Sequence, residues 1–231
     1  MAIYKGNKKV VAVYKGSTPI NKIYKGSTLV FQKSGGGGNT HLFDGTATGN
    51  FNLKVNNQNI PITPDADGKW FYDTDEKITS LENAISTSRV TSVDLSNLDL
   101  TGISTSSMFY GSSKITSIKF NNTKSMKLVN VREMFSTCYS LVSLDLSSFD
   151  TSNLISAGSL FNGCTSLETL DLSNFDLSKA TSYNGMFYNC NKLTHIKCKQ
   201  AFKDWCITNQ DKIGLPTAMR EGGSGTWEII G

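Results

Sequence analysis

The sequence is poor in the residues and runs on which most enzymes and membrane proteins depend. Its 231 residues include only two histidines, His41 and His195, and contain neither a glycine-rich phosphate loop nor a Gly-x-Ser-x-Gly nucleophile turn. No apolar run approaches the roughly 20 residues of a membrane span. The formal net charge is only +4, and Lys and Arg are scattered rather than massed. The composition therefore predicts a non-enzymatic protein with no catalytic, cofactor or metal site, no nucleic-acid partner and no membrane insertion.

The amino terminus also lacks the features of a secretory signal. Residues 1–6 contain no apolar core segment and no small-residue cleavage site follows them. We therefore expect no export signal in this stretch of the sequence.

What the sequence does contain is a repeat with a period of about 26 residues. Each repeat carries a phenylalanine preceded by Met or Leu, and a cysteine or serine follows three residues later. The phenylalanines are Phe109, Phe135, Phe161 and Phe187. A fixed period of about 20 to 29 residues built on leucine is typical of leucine-rich solenoids.

A short alternating segment recurs with the same period and predicts the strands. In residues 143–147 the period of two sends Leu144 and Leu146 to one face and Asp145 to the other. A single repeat cannot cover its own leucines, whereas stacked repeats bury them behind a parallel sheet. The predicted fold class is therefore mixed but mainly β, with a leucine-rich-repeat solenoid of about five 26-residue units.

The repeat also resembles a known family. Residues 134–150 read MFSTCYSLVSLDLSSFD, and residues 160–176 repeat that phrase almost exactly. This wording resembles the BspA-like leucine-rich repeats of surface and secreted proteins from gut and oral bacteria, some protists, and phages of such bacteria. The resemblance implies the fold and says little about the ligand, because unrelated binding functions use the same scaffold.

The remaining segments predict the domain organisation. A tract of four glycines at residues 35–38 predicts a flexible linker between two modules. Residues 39–77 alternate like short strands, and residues 201–231 contain helical spacing followed by a strand pattern. The predicted organisation is: 1–34, amino-terminal β-repeat segment; 35–38, linker; 39–77, β cap; 78–200, solenoid; 201–231, helix-strand cap.

The first segment has its own ten-residue repeat. Tyr4, Tyr14 and Tyr24 each stand in an apolar-Tyr-Lys-Gly phrase that predicts a short strand closed by a turn. Such strands bury too little apolar area to fold alone. They are the candidate anchor, through which residues 1–33 would pack either as a homotrimer or on capsid or tail proteins. The phrase is similar to amino-terminal segments of virion-associated proteins from phages of gut Bacteroides-like bacteria; an ordinary hairpin extension of the main domain is the alternative.

The cysteines favour packing over chemistry. Cys138, Cys164 and Cys190 occupy equivalent repeat positions, which predicts a column of small buried side chains. A disulfide between neighbouring repeats would leave the third cysteine unpaired. The spacing of Cys190, His195 and Cys198 does not match a zinc module.

The outward strand positions are the candidate ligand face. They are small and polar, and the charged or titratable members are Asp94, Lys119, Asp145, Asp171, His195 and Lys197. Such a wall suits a host surface glycan or a polar protein, whereas the exposed tyrosines Tyr110, Tyr139 and Tyr188 are alternative contact points. Asp145 and Asp171 would face each other as like charges, so either a cation such as Ca²⁺ or backbone donors must meet them. A second ladder, Asp99, Lys124, Asp150 and Asp176, predicts turn capping.

These patterns lead to three functional hypotheses. The first is a virion structural protein, such as a head or tail fibre or a decoration protein, anchored by its amino terminus and binding the host surface through the repeats. The second is a bacterial cell-surface adhesin whose export signal is absent from this sequence. The third is a hydrolase that uses the carboxylates of Asp145 and Asp171.

Overall fold

The structure is a computed structural model of the 231-residue chain. It describes residues 41–230 except Asp75, Asn97 and 121–125, together with the backbone of six short strands between residues 3 and 32. Two compact units are present: one contains Met1–His41 and Asp73–Glu76, and the other contains Leu42–Tyr72 and Lys77–Gly231.

The described residues form short strands and few helices. The strands are β1 Ile3–Lys5, β2 Lys8–Val10, β3 Tyr14–Lys15, β4 Thr18–Pro19, β5 Lys22–Lys25, β6 Thr28–Gln32, β7 His41–Ala47, β8 Phe51–Val55, β9 Gln58–Ile62, β10 Lys69–Thr74, β11 Val90–Asp94, β12 Ser117–Lys119, β13 Met126–Lys127, β14 Ser143–Asp145, β15 Phe149–Asp150, β16 Thr169–Asp171, β17 His195–Lys199 and β18 Thr226–Ile230. The helices are α1 Gln200–Thr208, α2 Gln210–Ile213 and a 3₁₀ helix Thr217–Met219. The prediction of a mainly β fold that contains parallel sheet is confirmed.

In the first unit, the ten-residue repeat forms three antiparallel hairpins. The backbone of β1 pairs with β2, β3 with β4, and β5 with β6. Tyr4, Tyr14 and Tyr24 lie opposite Lys9, Pro19 and Leu29 in these pairs. Their side chains lie outside the described part of the chain, as does the linker at residues 35–38.

In the second unit, parallel strands pair in the register that the repeat predicts. Val93 lies beside Ile118, and Leu144, Leu170 and Ile196 lie beside one another. The strand order is β10-β7-β11-β12 in one sheet and β14-β16-β17-β18 in another. The sequence predicted one parallel sheet along the repeats. Among the described strands, this series is instead divided between two four-stranded sheets, with β12 and β14 at their edges, and β13 pairs in parallel with β15 in a separate two-stranded sheet.

The Phe-containing turns stack on one another with the same period. Phe109, Phe135, Phe161 and Phe187 are fully buried, and their rings are stacked with centroids 5.6, 5.7 and 5.5 Å apart. The backbone follows the rings: the N–H of Phe135 donates to the carbonyl of Leu160 at 3.0 Å, and that of Phe161 donates to Met186 at 2.9 Å. Each turn is therefore completed by groups of the next, which is why a single repeat is not a stable structure.

Each of these turns depends on two residues with left-handed backbone. One series has positive φ at Ser107, Glu133, Ser159 and Gly185, and the other has it at Gly111, Thr137, Gly163 and Asn189. Left-handed backbone is favourable for glycine and tolerated by asparagine, but it strains a β-branched residue. Thr137, with φ of 61°, is therefore the least suited member of its series.

We expect Thr137→Asn to raise the free energy of unfolding by about 0.5 to 1 kcal/mol, because it relieves this strain without the entropy cost of glycine. Chemical denaturation followed by circular dichroism measures the change. Thr165→Asn is the matched control, since Thr165 is exposed and does not have positive φ. Equal effects of the two substitutions would show that backbone strain at residue 137 is not the cause.

The amino-terminal edge of the repeats is covered by residues 42–72. Strand β7 pairs antiparallel with β11, and the N–H of Lys54 in β8 donates to the carbonyl of Ala84 at 2.9 Å. Trp70 is buried and its ring meets the ring of Phe51 edge-on, with centroids 5.0 Å apart. These contacts shield the apolar edge of the first strand from water.

The carboxy-terminal edge is covered by the predicted helix and strand. The N–H of Phe187 donates to the carbonyl of Ile213 at 2.8 Å, and that of Gly185 donates to Lys212 at 2.8 Å. Helix α2 thus supplies the hydrogen bonds that a further repeat would supply. Strand β18 pairs with β17 in parallel, so that Trp227 lies beside Ile196 and Glu228 beside Lys197.

Candidate functional site

The outward positions of the parallel strands form rows of polar and charged side chains. All six residues of the predicted ligand face lie on strands β11, β12, β14, β16 and β17. The structure brings them together in two groups: Asp94 with Lys119, and Asp145 with Asp171, His195 and Lys197. We call these the amino-terminal charged row and the carboxy-terminal charged row.

The amino-terminal charged row contains one residue that the repeat pattern did not identify. The ammonium group of Lys119 lies 3.0 Å from Oδ2 of Asp94, and Asp44 of β7 pairs directly opposite Asp94. Burial, and next the Asp94 charge, raise the pKa of Asp44, against the opposing effect of Lys119 and Lys69. Burial also acts to raise the pKa of Asp94, but the hydrogen bonds from Ser96 and Lys119 outweigh it and the pKa is lowered.

The carboxy-terminal charged row is likewise extended by a residue outside the repeat. Lys197 Nζ lies between two carboxylates, 3.7 Å from Asp171 Oδ2 and 3.5 Å from Glu228 Oε1. The imidazole Nε2 of His195 lies 3.2 Å from Glu228 Oε2. Because β18 continues the sheet in register, Glu228 occupies the position that a further repeat would give to an Asp or Lys. A predicted closing strand could have indicated this position, but its register is visible only in the structure.

The aspartates of both rows also end their strands. Oδ1 of Asp94, Asp145 and Asp171 accepts the backbone N–H of the residue two positions later, at 2.8, 2.9 and 3.0 Å. Asp145 and Asp171 lie opposite each other in the sheet. Backbone donors, one of the two ways in which the sequence allowed these like charges to be met, are therefore present at both aspartates. No group of three or more His, Cys, Asp or Glu that could hold a metal ion occurs among the described residues.

The second ladder caps turns, as the sequence predicted. Oδ1 of Asp99, Asp150 and Asp176 accepts the N–H of Thr101, Ser152 and Ser178 at 2.9, 3.1 and 2.8 Å. The hydrogen bonds from Ser152 lower the pKa of Asp150. Lys124 of this ladder lies outside the described residues.

The cysteines are packing residues. All five are free and buried, and Sγ of Cys138, Cys164 and Cys190 donates to the carbonyl of Phe109, Phe135 and Phe161 at 3.3, 3.0 and 3.0 Å. Ser112 makes the equivalent hydrogen bond to Ile85. Burial raises the pKa of Cys138 and of Cys190 to about 12, which keeps these thiols protonated and unreactive at neutral pH.

The alternative tyrosine contact points occupy two different positions of the repeat. Tyr110, Tyr139 and Tyr188 are exposed, but Tyr110 and Tyr188 follow the phenylalanines whereas Tyr139 follows a cysteine. A Cβ atom at Gly214 would lie within 2 Å of the Tyr188 ring, so that ring is packed on the glycine of the carboxy-terminal cover. No helix in the described part of the chain is long and apolar enough to cross a membrane.

We expect Asp44→Asn to stabilise the protein by about 0.5 kcal/mol at pH 7, the size of a screened cross-strand charge pair. Because the pKa of Asp44 is raised on folding, its ionised form opposes folding. That cost is absent below the pKa of the unfolded chain, near 4, and grows as the pH rises toward the folded value. Unfolding free energies measured from pH 3 to pH 8 should therefore diverge from the parent protein as the pH increases.

Asp94→Asn should change the free energy of unfolding in the opposite direction over the same pH range. Because folding lowers the pKa of Asp94, its charge stabilises the protein above the unfolded pKa, and that contribution is lost as the pH falls through the folded pKa. The substitution should therefore destabilise at pH 7 and have little effect at the acid end. Parallel pH profiles for the two variants would contradict the assignment of these opposite shifts.

Comparison with known proteins places most of the repeats in one family match. Residues 101–213 match the family described as "Mycoplasma protein of unknown function, DUF285". Neither the search of curated proteins nor the search of solved structures found a match. The matched segment contains the phenylalanine stack, the three repeat cysteines and most of the charged positions described above. This match fits a BspA-like surface repeat protein.

Proposed function

We propose that this chain is a non-enzymatic, surface-displayed binding protein in which a leucine-rich-repeat solenoid presents polar strand faces to a macromolecular partner. The observation that carries the proposal is the in-register row of charged side chains on parallel strands. The family match over these repeats, which fits a BspA-like surface repeat protein, also supports it. Of the localisations that the sequence suggested, the match favours the bacterial cell surface.

The proposed solenoid comprises about five units over residues 78–200. Support comes from the parallel registers at offsets of one repeat and from the stack of four phenylalanine rings. Support also comes from isolated parallel bridges that join Ser80 to Ser104, and Asn130 to Ser156 to Ser182. In this arrangement the outward side chains of neighbouring strands are aligned. They form an extended surface along which a partner could make many contacts.

The charged rows favour binding over catalysis. Their aspartates are engaged by backbone N–H groups, and Asp94 and Asp171 also face lysines. These carboxylates therefore position strand ends, which is a structural role compatible with an exposed polar surface. The small neighbours Ser143 and Thr169 leave that surface accessible. We assign it to a host surface glycan or a polar protein surface, because both offer donors and acceptors rather than apolar anchors.

The binding surface is tested by blocking it without removing a strand-ending aspartate. Ser143→Arg places a long side chain on the exposed face of β14, while Asn191→Arg places the same side chain on an exposed turn away from the strands. The first variant should lose adhesion of the purified protein to host cells by at least tenfold, and the second should retain it. Equal adhesion of both variants would refute the strand face as the binding surface.

The localisation is tested on intact cells. Antibody labelling and protease treatment of unbroken producer cells should detect the protein and remove it. Detection only after lysis would contradict display at the cell surface.

A virion structural protein, such as a head or tail fibre or a decoration protein, is the second candidate. It is supported by the amino-terminal ten-residue repeat, whose backbone forms three successive hairpins suited to packing on an assembly or on copies of itself. In this case purified virions would contain the chain by mass spectrometry, and deletion of residues 1–33 would release it from the particle. Virions without the chain would exclude this candidate.

A further inference from the structure

A pocket lies at the carboxy-terminal cover, apart from the charged rows. It has a volume of about 580 Å³ and is bounded by helix α1 on one side, by the loop at residues 220–225 on the other, and by Trp227. This volume falls within the range of about 300 to 1,000 Å³ that is usual for small-molecule sites. The hypotheses drawn from the repeats do not involve any of these residues.

The walls of the pocket are held by hydrogen bonds. The indole N–H of Trp227 donates to the carbonyl of Met219 at 3.2 Å, which sets the orientation of its half-buried ring. Arg220 donates to the carbonyl of Leu215 at 2.9 Å and to Asp211 at 2.8 Å. The N–H of Gly225 donates to the carbonyl of Ala218 at 2.7 Å. The pocket is therefore preformed and requires little ordering when a ligand binds.

Glycine gives the loop its shape. A Cβ atom at Gly223 would lie 2.3 Å from the carbonyl oxygen of Ala218, and one at Gly225 would lie 2.4 Å from Sδ of Met219. Only glycine allows the loop to pack so closely on the 3₁₀ helix. Gly222, Gly223 and Gly225 line the pocket together with Trp227.

The charges that line the pocket indicate the class of ligand. The lining contains two basic residues, Lys203 and Arg220, and two acidic residues, Asp204 and Glu221, so charges of one sign are not clustered as they are in sites that select an anion or a cation. Arg220 is already paired with Asp211, whereas the ammonium group of Lys203 and the carboxylate of Glu221 make no ion pair with any residue that the structure describes. The pocket therefore offers both hydrogen-bond donors and acceptors beside an aromatic face.

We propose that this pocket binds a short neutral glycan. The apolar C–H face of a sugar ring packs on an aromatic ring such as that of Trp227, while its hydroxyl groups both donate and accept hydrogen bonds. Lys203 donates to a ring or hydroxyl oxygen, and Glu221 accepts from a hydroxyl group. This proposal rests on the proposed surface function and adds a ligand class to it. The residues of the pocket are different from those of the charged rows.

A glycan array and a titration test the pocket. The full chain is applied to an array of neutral glycans, and the oligosaccharide bound best is titrated while the indole N–H signal of Trp227 is followed by NMR. We expect a saturable shift of that signal. Lys203→Ala and Glu221→Ala should each weaken binding at least fivefold, whereas Lys212→Ala, on exposed α2, should leave it unchanged.

Several outcomes would overturn the proposal. These are the absence of binding across the array, binding by the Lys203→Ala and Glu221→Ala variants that is as tight as that of the parent protein, and a larger shift with inorganic phosphate than with any neutral glycan. Circular dichroism verifies that the variants fold, and since both side chains are at the surface of the cover we expect unchanged spectra. The pocket variants leave Ser143 intact, so a failure here is distinguishable from a failure of the strand-face proposal.

Discussion

Phe135→Ala is expected to lower the free energy of unfolding by about 4 kcal/mol. The side chain is fully buried, its ring stacks between those of Phe109 and Phe161, and the ring of Phe120 meets it edge-on at 6.2 Å. Truncation removes apolar contacts with three aromatic neighbours and leaves a cavity. The cavity stays open because the backbone on both sides is held in place by hydrogen bonds. Urea denaturation of the full chain, followed by circular dichroism, measures the loss.

Tyr139→Ala is the matched control for this loss. Tyr139 lies in the same turn and is also aromatic, but 47% of its surface is exposed. Its removal should change the free energy of unfolding by less than about 0.5 kcal/mol. A loss below 1 kcal/mol for Phe135→Ala would indicate that the stack contributes little to the fold.

Gly45→Ala should destabilise the protein by about 3 kcal/mol. Gly45 lies in β7, and a Cβ atom there would lie 2.0 Å from the carbonyl oxygen of Ser92 and 3.0 Å from Nε1 of Trp70. Because the clashing oxygen belongs to the backbone of the neighbouring strand, the clash is relieved only by separating β7 from β11. That separation would expose the apolar edge of the repeats, so the melting temperature should fall and a dye for apolar surface should bind.

Gly102→Ala tests whether close approach, rather than the loss of a glycine, is responsible. Gly102 has φ of 72°, and a Cβ atom there would meet nothing within 4 Å. Its replacement should cost only the left-handed strain of about 1 kcal/mol. A Gly45→Ala variant as stable as the parent would show that β7 does not need to approach Ser92 so closely.

The buried side chains of the repeats were easier to predict from the sequence than the exposed ones. The period of 26 residues places chemically equivalent side chains side by side, so the register of Leu144, Leu170 and Ile196 follows from alignment alone. The same reasoning predicted the buried column of Cys138, Cys164 and Cys190. These contacts are predictable because each repeat meets a near copy of itself, and what holds for one pair holds for the next.

The charged surface was predicted only in part. The pattern identified the outward aspartates and lysines, but it assigned their positions to a ligand, whereas the structure also uses Asp94, Asp145 and Asp171 to end strands. An aspartate followed two residues later by serine is a turn signal as well as a surface charge. The second ladder was interpreted in that way, and the same argument applies to the first.

By itself the sequence determined the mainly β class, the inward and outward sides of each strand, and the parallel pairing, because all three follow from a period of two within a period of 26. Only the tertiary structure decided how the non-repeating segments join them. The charged rows are extended by Asp44 and Glu228, and the last repeat hydrogen bond is accepted by Ile213. None of these three residues belongs to the 26-residue repeat. Their places depend on how the covering segments pack on exposed repeat edges, and such long-range packing has no local signal in the sequence. The pocket beside Trp227 arises from that same packing.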